Sequence, residues 1–332
     1  MIFMKNKITF YVASCVPSGG VYRCELDEGG NVETKKIISS PSPMWIEPAE
    51  DGSVWVLMRA PFEDSMNSGV AKYDLVSGER IGDILSTEGE VACHLAVDGE
   101  DLYAANYISG SVWSSRGKLV TNSGSGINPV RQSSPHVHSV FFSPDKKYVL
   151  SCDLGVDKII VFDRNLNFIS SADTPAGAGA RHLSFSKDGN FVYVINEMGG
   201  SISIFLYREG LLDYINTVSV LPSKFSGVAS GAAIKLSHDG TRLYVTERST
   251  QSIITLAVKD DNLEILAYTD CNGKEPRDFL LLADDRFAVC TNQFDNTVAL
   301  FCISPEGIPT FFNKFELAAP LCAIEMEEKE IR

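Results

Sequence analysis

Along the chain, short apolar runs recur between turns, and one phrase keeps returning. It consists of an apolar strand, a turn built on Asp and often Gly, a second strand ending in a polar residue, a short loop, and a third strand of alternating residues. The phrase is plainest in Arg181-His-Leu-Ser-Phe-Ser-Lys-Asp-Gly-Asn-Phe-Val-Tyr-Val-Ile-Asn196. It returns over 233–247, 277–292 and 138–153, with weaker copies over 51–59 and 98–106. Asp-Gly supplies the backbone angles of a tight hairpin, and alternation such as Ser201-Ile-Ser-Ile-Phe sets one face against a neighbour. No stretch sustains a helical period. Taking the polar residue that ends each second strand as a marker gives Ser14, Arg59, Asn106, Asp153, Asn196, Glu247 and Asn292, at intervals of 45, 47, 47, 43, 51 and 45 residues. Seven markers at that spacing predict an all-β chain folded as a seven-bladed β-propeller, with residues 1–332 as one domain.

Such a ring needs a closure. Ala319-Pro-Leu-Cys-Ala-Ile-Glu-Met aligns with the first strand of the phrase, whereas the N-terminal Ile8-Thr-Phe-Tyr-Val-Ala-Ser14 aligns with the second. The C-terminal strand is therefore expected to join the N-terminal blade as its innermost member. The Gly/Ser stretch Thr121–Pro129 reads as a loop over the third blade, too short to link domains.

Composition narrows the function. With 29 basic and 43 acidic residues the net charge is −14, which repels nucleic acid and anionic membrane surfaces. No run reaches the roughly 18 apolar residues of a membrane-spanning helix, and the start lacks the pattern of a cleaved leader. The expectation is an unprocessed cytoplasmic protein, with Met4 an alternative start, no nucleic-acid or membrane partner, and no basis for fixing an oligomeric state. The eight cysteines form no Cys-x-x-Cys pair, and several sit in apolar strands, so reduced, buried thiols are expected. There is no nucleophile elbow, phosphate-binding Gly-rich loop, His-Glu-x-x-His or dinucleotide fingerprint.

The repeat itself locates candidate chemistry. His138, Arg181 and Arg277 each stand ten residues before the aromatic that opens the next strand, Tyr148, Phe191 and Phe287. They share one ring slot and are expected to converge at the channel mouth, where they could capture a phosphate or carboxylate against the global charge. The structural alternative is that each Arg pairs with a nearby carboxylate. His136, two residues before His138, would face the same way in an extended chain. Glu197, matched to Asp153 and Glu247 of adjacent repeats, is expected beside Arg181, where it would stay ionised and orient or deprotonate water; alternatively it only fixes Arg181. Asp153 and Asp157 bracket a Gly turn and suit loop organisation. Arg248 is a further anion binder, and His94 and His238 read as structural or solvated.

Pro135-His-Val-His138 followed by Phe-Phe-Ser-Pro-Asp, Cys152-Asp-Leu-Gly-Val-Asp157, Gly179-Ala-Arg-His182, Asn196-Glu197, Lys274-Glu-Pro-Arg-Asp278 and Thr291-Asn-Gln293 resemble the lactonase-family seven-bladed propellers. That family includes propeller-type 6-phosphogluconolactonases and carboxy-cis,cis-muconate cyclases. The resemblance implies hydrolysis of a small anionic sugar lactone, most simply 6-phosphogluconolactone to 6-phosphogluconate, without a metal or organic cofactor. His138, Arg181 and Glu197 would be catalytic, with His136, Asp153, His182, Arg248 and Arg277 binding substrate. Muconate-type lactonization and a non-catalytic interaction propeller are the alternatives. Where the family phrase opening the sixth blade has Glu-Ile-His, this chain has Ala233-Ile-Lys235, and where it has Asn-Arg, this chain has Glu247-Arg248.

Overall fold

The computed structural model describes residues 7–27, 29–59, 67–259, 261–282 and 285–326. The N-terminal Met1–Asn6, read above as an unprocessed start, lie outside the described residues. Seven four-stranded antiparallel sheets stand in a ring, six of them in chain order from the channel outward and the first with the C-terminal strand innermost. The described residues contain no helix, hence none long and apolar enough to cross a membrane. Six of the seven markers end their blade's second strand, and Arg59 follows Met58, which ends that of the second blade.

The turns between first and second strands show why the phrase repeats. In the fourth, fifth and sixth blades a Ser hydroxyl donates to the Asp two residues on, Ser143 to Asp145 (2.7 Å), Ser186 to Asp188 (2.6 Å) and Ser237 to Asp239 (2.6 Å). The same Ser oxygens accept the amides of Tyr148, Phe191 and Arg242, which closes the turn. Gly189 and Gly240 adopt φ of 75° and 80° there, a conformation glycine takes without strain. The second and third strands are almost wholly buried, and their side chains form cores that span adjoining blades. Ile195, Ile204, Val245 and Ile254 join the fifth and sixth blades, and Val12, Leu26, Val289 and Leu300 join the first and seventh.

The closure is as the sequence predicts. Pro320–Glu325 pairs antiparallel with Ile8–Ser14, and the first blade runs Pro320–Glu325, Ile8–Ser14, Gly20–Leu26, Val32–Ser39. A chain ending at Leu317 should therefore expose the backbone edge of Ile8–Ser14 and aggregate. Size-exclusion chromatography with light scattering checks this; a monodisperse truncate with an unchanged unfolding midpoint would show that the strand does not close the ring. All eight cysteines are free thiols, six of them buried.

Candidate functional site

Each blade presents two equivalent positions at one end of the channel. Near its start every first strand carries a β-bulge, where an extra residue interrupts the pairing. Such a bulge re-aims a side chain that regular pleating would send elsewhere. The inserted residues are Met44, Cys93, His138, Arg181 and Arg277 in the second, third, fourth, fifth and seventh blades. The common slot of His138, Arg181 and Arg277 is this bulge.

The second position is the residue just after the second strand. In all seven blades its amide donates to the carbonyl of the residue preceding the first strand: Cys15 to Ala319, Arg59 to Ser42, Tyr107 to Val91, Leu154 to His136, Glu197 to Gly179, Arg248 to Ser230 and Gln293 to Glu275. The slot is thus fixed by backbone whatever its side chain, which leaves the side chain free to vary. It also corrects the alignment of Glu197. Glu197 is equivalent to Leu154 and Arg248, whereas Asp153 and Glu247 share the slot of Asn196.

A cavity of about 230 Å³ opens between these rings. The bulge ring contributes Met44, Cys93, His138 and Arg277, the second ring Arg59, Tyr107, Glu197 and Arg248, and the residues just before two first strands Val91 and Ser230. The eleventh lining residue, Arg131, comes from the connection between the third and fourth blades. At this volume the cavity is smaller than a drug-sized pocket and suits a monosaccharide-sized ligand.

Glu197 is the electrostatic centre. Its Oε2 lies 2.8 Å from Arg248 Nη2, 3.2 Å from Arg181 Nε and 3.9 Å from His138 Nε2, while Oε1 lies 2.6 Å from Arg131 Nη2. Arg181 Nε lacks hydrogen-bond alignment to it, so that contact is one of charge alone. Burial by itself would raise the Glu197 pKa; the Arg248 and Arg181 cations and the Arg131 hydrogen bond outweigh it and hold the carboxyl well below the usual range. His138 is kept neutral, because burial first and the Arg181 cation second depress its pKa well below the ordinary value. Burial pushes the Cys93 thiol up to about 12, so it is no thiolate nucleophile.

Five arginines surround the cavity and they are not equivalent. Arg131, Arg181 and Arg248 contact Glu197, and Arg248 also meets Glu275 Oε1 at 3.1 Å. Among the described residues Arg59 and Arg277 have no hydrogen-bonded or ion-paired carboxylate, and Arg277 Nε is buried without any partner. Both line the cavity, Arg59 from the second blade and Arg277 from the seventh. Two cations with no ion-paired carboxylate among the described residues thus stand beside a carboxylate already held by three arginines, a charge arrangement that suits an anion.

Other candidate residues lie behind or beside the cavity. Arg181 is only 2% exposed and does not line it; its Nη1 donates to Ala232 O at 2.5 Å. The capture of an anion by Arg181 itself does not fit that placement, because its guanidinium lies behind the cavity wall. His136 and His138 do not share a face, since the bulge breaks the alternation. His136 stacks on Tyr107 with centroids 4.6 Å apart, and its Nδ1 is 3.0 Å from Tyr107 O. Asp153 organises its loop, accepting the amides of His136 and Gly155 and the Asn122 side chain; Asp157 does likewise for Gly177 and Gly179.

His182 lies deeper in the channel, its ring 5.2 Å from His138, 5.0 Å from His94 and 5.7 Å from Trp45. All three histidines are buried and their pKa values fall well below the ordinary one, burial being the largest cause. They remain neutral in the fold but charge in the unfolded chain below about pH 6.5. The unfolded state then binds more protons, so stability rises with pH and is lost as pH falls through that value. Each should cost about 1.4 kcal/mol per pH unit below it. Urea midpoints measured from pH 7.5 to 5 should drop steeply; a flat profile would show that the imidazoles are already protonated in the fold.

The lactonase 7-bladed β-propeller family profile matches residues 9–323. The chain belongs to that family. It is 31% identical over 322 residues to the uncharacterized protein YwcC of Lactococcus lactis, covering 90% of this chain and 92% of that one. Among solved structures it is similar to a Bacteroides fragilis protein described as a candidate 6-phosphogluconolactonase, at 26% identity and a TM-score of 0.86 over 97% of this chain and 99% of that one. It is also similar to the periplasmic gluconolactonase PpgL of Pseudomonas aeruginosa, at 25% identity and a TM-score of 0.84, covering 96% and 99%.

Proposed function

We propose that the protein hydrolyses a sugar lactone, most specifically 6-phosphoglucono-1,5-lactone to 6-phosphogluconate. The observation that carries this reading is the division of the arginines: among the described residues Arg59 and Arg277 have no ion-paired carboxylate, beside a Glu197 already held by three others. In this account Arg277 and Arg59 hold the phosphate through charge-assisted hydrogen bonds. Water attacks the lactone carbonyl carbon while Glu197 takes its proton, and Arg248 stabilises the negative charge that develops on the carbonyl oxygen. The ring C–O bond then breaks, and the proton on Glu197 passes to the departing ring oxygen. The neutral His138 orients the water or the carbonyl by hydrogen bonding. Among the described residues no cluster of His, Cys, Asp or Glu has the arrangement of a metal site, and no step of this account uses a metal.

A second reading has its own observation. Loops at the cavity end of the ring expose Ile127 (71%), Val130 (80%), Val228 (84%) and Phe294 (70%), a feature associated with protein docking. A pH-stat assay on freshly generated 6-phosphogluconolactone, after exhaustive chelation, separates the two. The enzymatic reading expects acceleration over the spontaneous reaction that survives EDTA. No acceleration of this lactone, and no lactonization of an unsaturated tricarboxylate, would leave the interaction propeller in front.

A further inference from the structure

Arg131 stands apart from the other residues around the cavity. The remaining ten occupy positions that the blade repeat generates, whereas Arg131 belongs to the connection between Thr121 and Val137. Arg181 and Arg248 approach Glu197 Oε2 from within the ring framework, with side chains 2% and 7% exposed. Oε1 is therefore the oxygen left to meet a ligand, and Arg131 Nη2 covers it at 2.6 Å from a side chain that is 44% exposed. The same Nη2 donates to the Tyr107 hydroxyl at 3.3 Å. The loop around it is pinned: Arg131 N donates to Asn128 Oδ1, Gln132 N to Asn128 O, and the Gln132 side chain donates through Nε2 to Leu154 O and Asp157 Oδ1. The Arg131 side chain, by contrast, is held only through Nη2 and is partly open to solvent.

We infer that Arg131 is a gate that makes Glu197 available only when an anionic substrate is bound. The inference rests on the reading of Glu197 as the proton-handling group. An anion held at Arg59 and Arg277 offers Arg131 a second partner, so its guanidinium exchanges one charge-assisted hydrogen bond for another. That exchange uncovers Oε1 for the attacking water. A neutral lactone offers no such partner, and Glu197 stays covered. Arg131 is thus a specificity-determining residue, acting on the choice between charged and neutral lactones.

The test compares 6-phosphoglucono-1,5-lactone with glucono-1,5-lactone in the wild type, Arg131→Ala and Arg131→Lys. Removing the gate should raise kcat for the neutral lactone about 10-fold while lowering kcat/KM for the phosphorylated one about 10-fold, each the worth of one such bond. The preference then collapses roughly 100-fold, and Lys restores part of it. A proportional fall for both substrates, or a neutral lactone left unchanged, would overturn the gate. An arm independent of turnover follows the Arg131 Nε–Hε resonance as inorganic phosphate is added. A shift without turnover of either lactone would remove the lactonase reading and leave the anion exchange standing. Turnover with an unmoved resonance would remove the gate alone.

Discussion

Replacing Glu197 by Gln should lower kcat for 6-phosphogluconolactone by about 10²–10⁴, the usual contribution of a positioned acid–base group. The isosteric amide keeps the shape of the carboxylate but cannot take a proton from water. The same change leaves Arg131, Arg181 and Arg248 without the charge on which they converge. Breaking a buried ion cluster in this way costs about 3–5 kcal/mol, a large share of a typical total of roughly 5–15 kcal/mol. A mobile anion can replace the missing charge. Phosphate and 6-phosphogluconate should therefore bind the variant more tightly than the wild type and raise its melting temperature more. Loss of stability with turnover intact would mark Glu197 as a structural counter-ion only.

Arg277→Ala should behave in the opposite sense on stability. Its Nε is buried without a partner, and burial followed by the neighbouring Arg248 pulls its pKa down, so the fold holds this cation at a cost. Removal should leave the unfolding midpoint unchanged or raise it. Charge-assisted hydrogen bonds to a bound phosphate are worth about 1.5–3 kcal/mol, so kcat/KM for the phosphorylated lactone should fall about 10- to 150-fold. Arg277→Lys should recover only part, since an ammonium lacks the planar fork of the guanidinium. Arg181→Ala serves as the contrast: its side chain is spent on Ala232 O and Glu197, so stability and catalysis should fall together. If Arg277→Ala loses stability instead, Arg277 has a structural partner and the anion site lies elsewhere.

The repeat made the ring and its closure legible because every first strand carries the same bulge and the fourth, fifth and sixth blades share the same Ser–Asp turn. An equal spacing from His138, Arg181 and Arg277 to the next aromatic could be read because each is the inserted residue of its strand. Spacing gives a slot, however, and not the partner that fills it. Arg181 shares the slot of Arg277, yet only Arg277 reaches the cavity, because Glu197 of its own blade and Ala232 O in the first strand of the sixth blade engage Arg181.

Other residues escaped for different reasons. Glu197 was paired with Asp153 and Glu247, one position out of register, because a carboxylate just inside and one just outside a strand end look alike in sequence. As a spacing marker Arg59 is one position out of register too: Met58 ends its strand, and Arg59 takes the slot of Glu197 and Arg248. Arg131 lies just beyond the Gly/Ser stretch of its loop, outside the repeat, so no periodicity could reach it. Tyr107 occupies the Glu197 slot of the third blade, and that equivalence needed the backbone hydrogen bonds to be seen.

In the proposed function the cavity between Arg277 and Glu197 turns over a phosphorylated lactone. The most direct measurement is the initial rate of 6-phosphogluconolactone hydrolysis by wild type and Glu197→Gln in a pH-stat, both at matched saturation determined from 6-phosphogluconate binding. The account predicts that wild type exceeds the spontaneous rate and that Glu197→Gln loses at least about 100-fold while still binding the product. A wild type no faster than buffer, or a Glu197→Gln protein as fast as wild type, would contradict it.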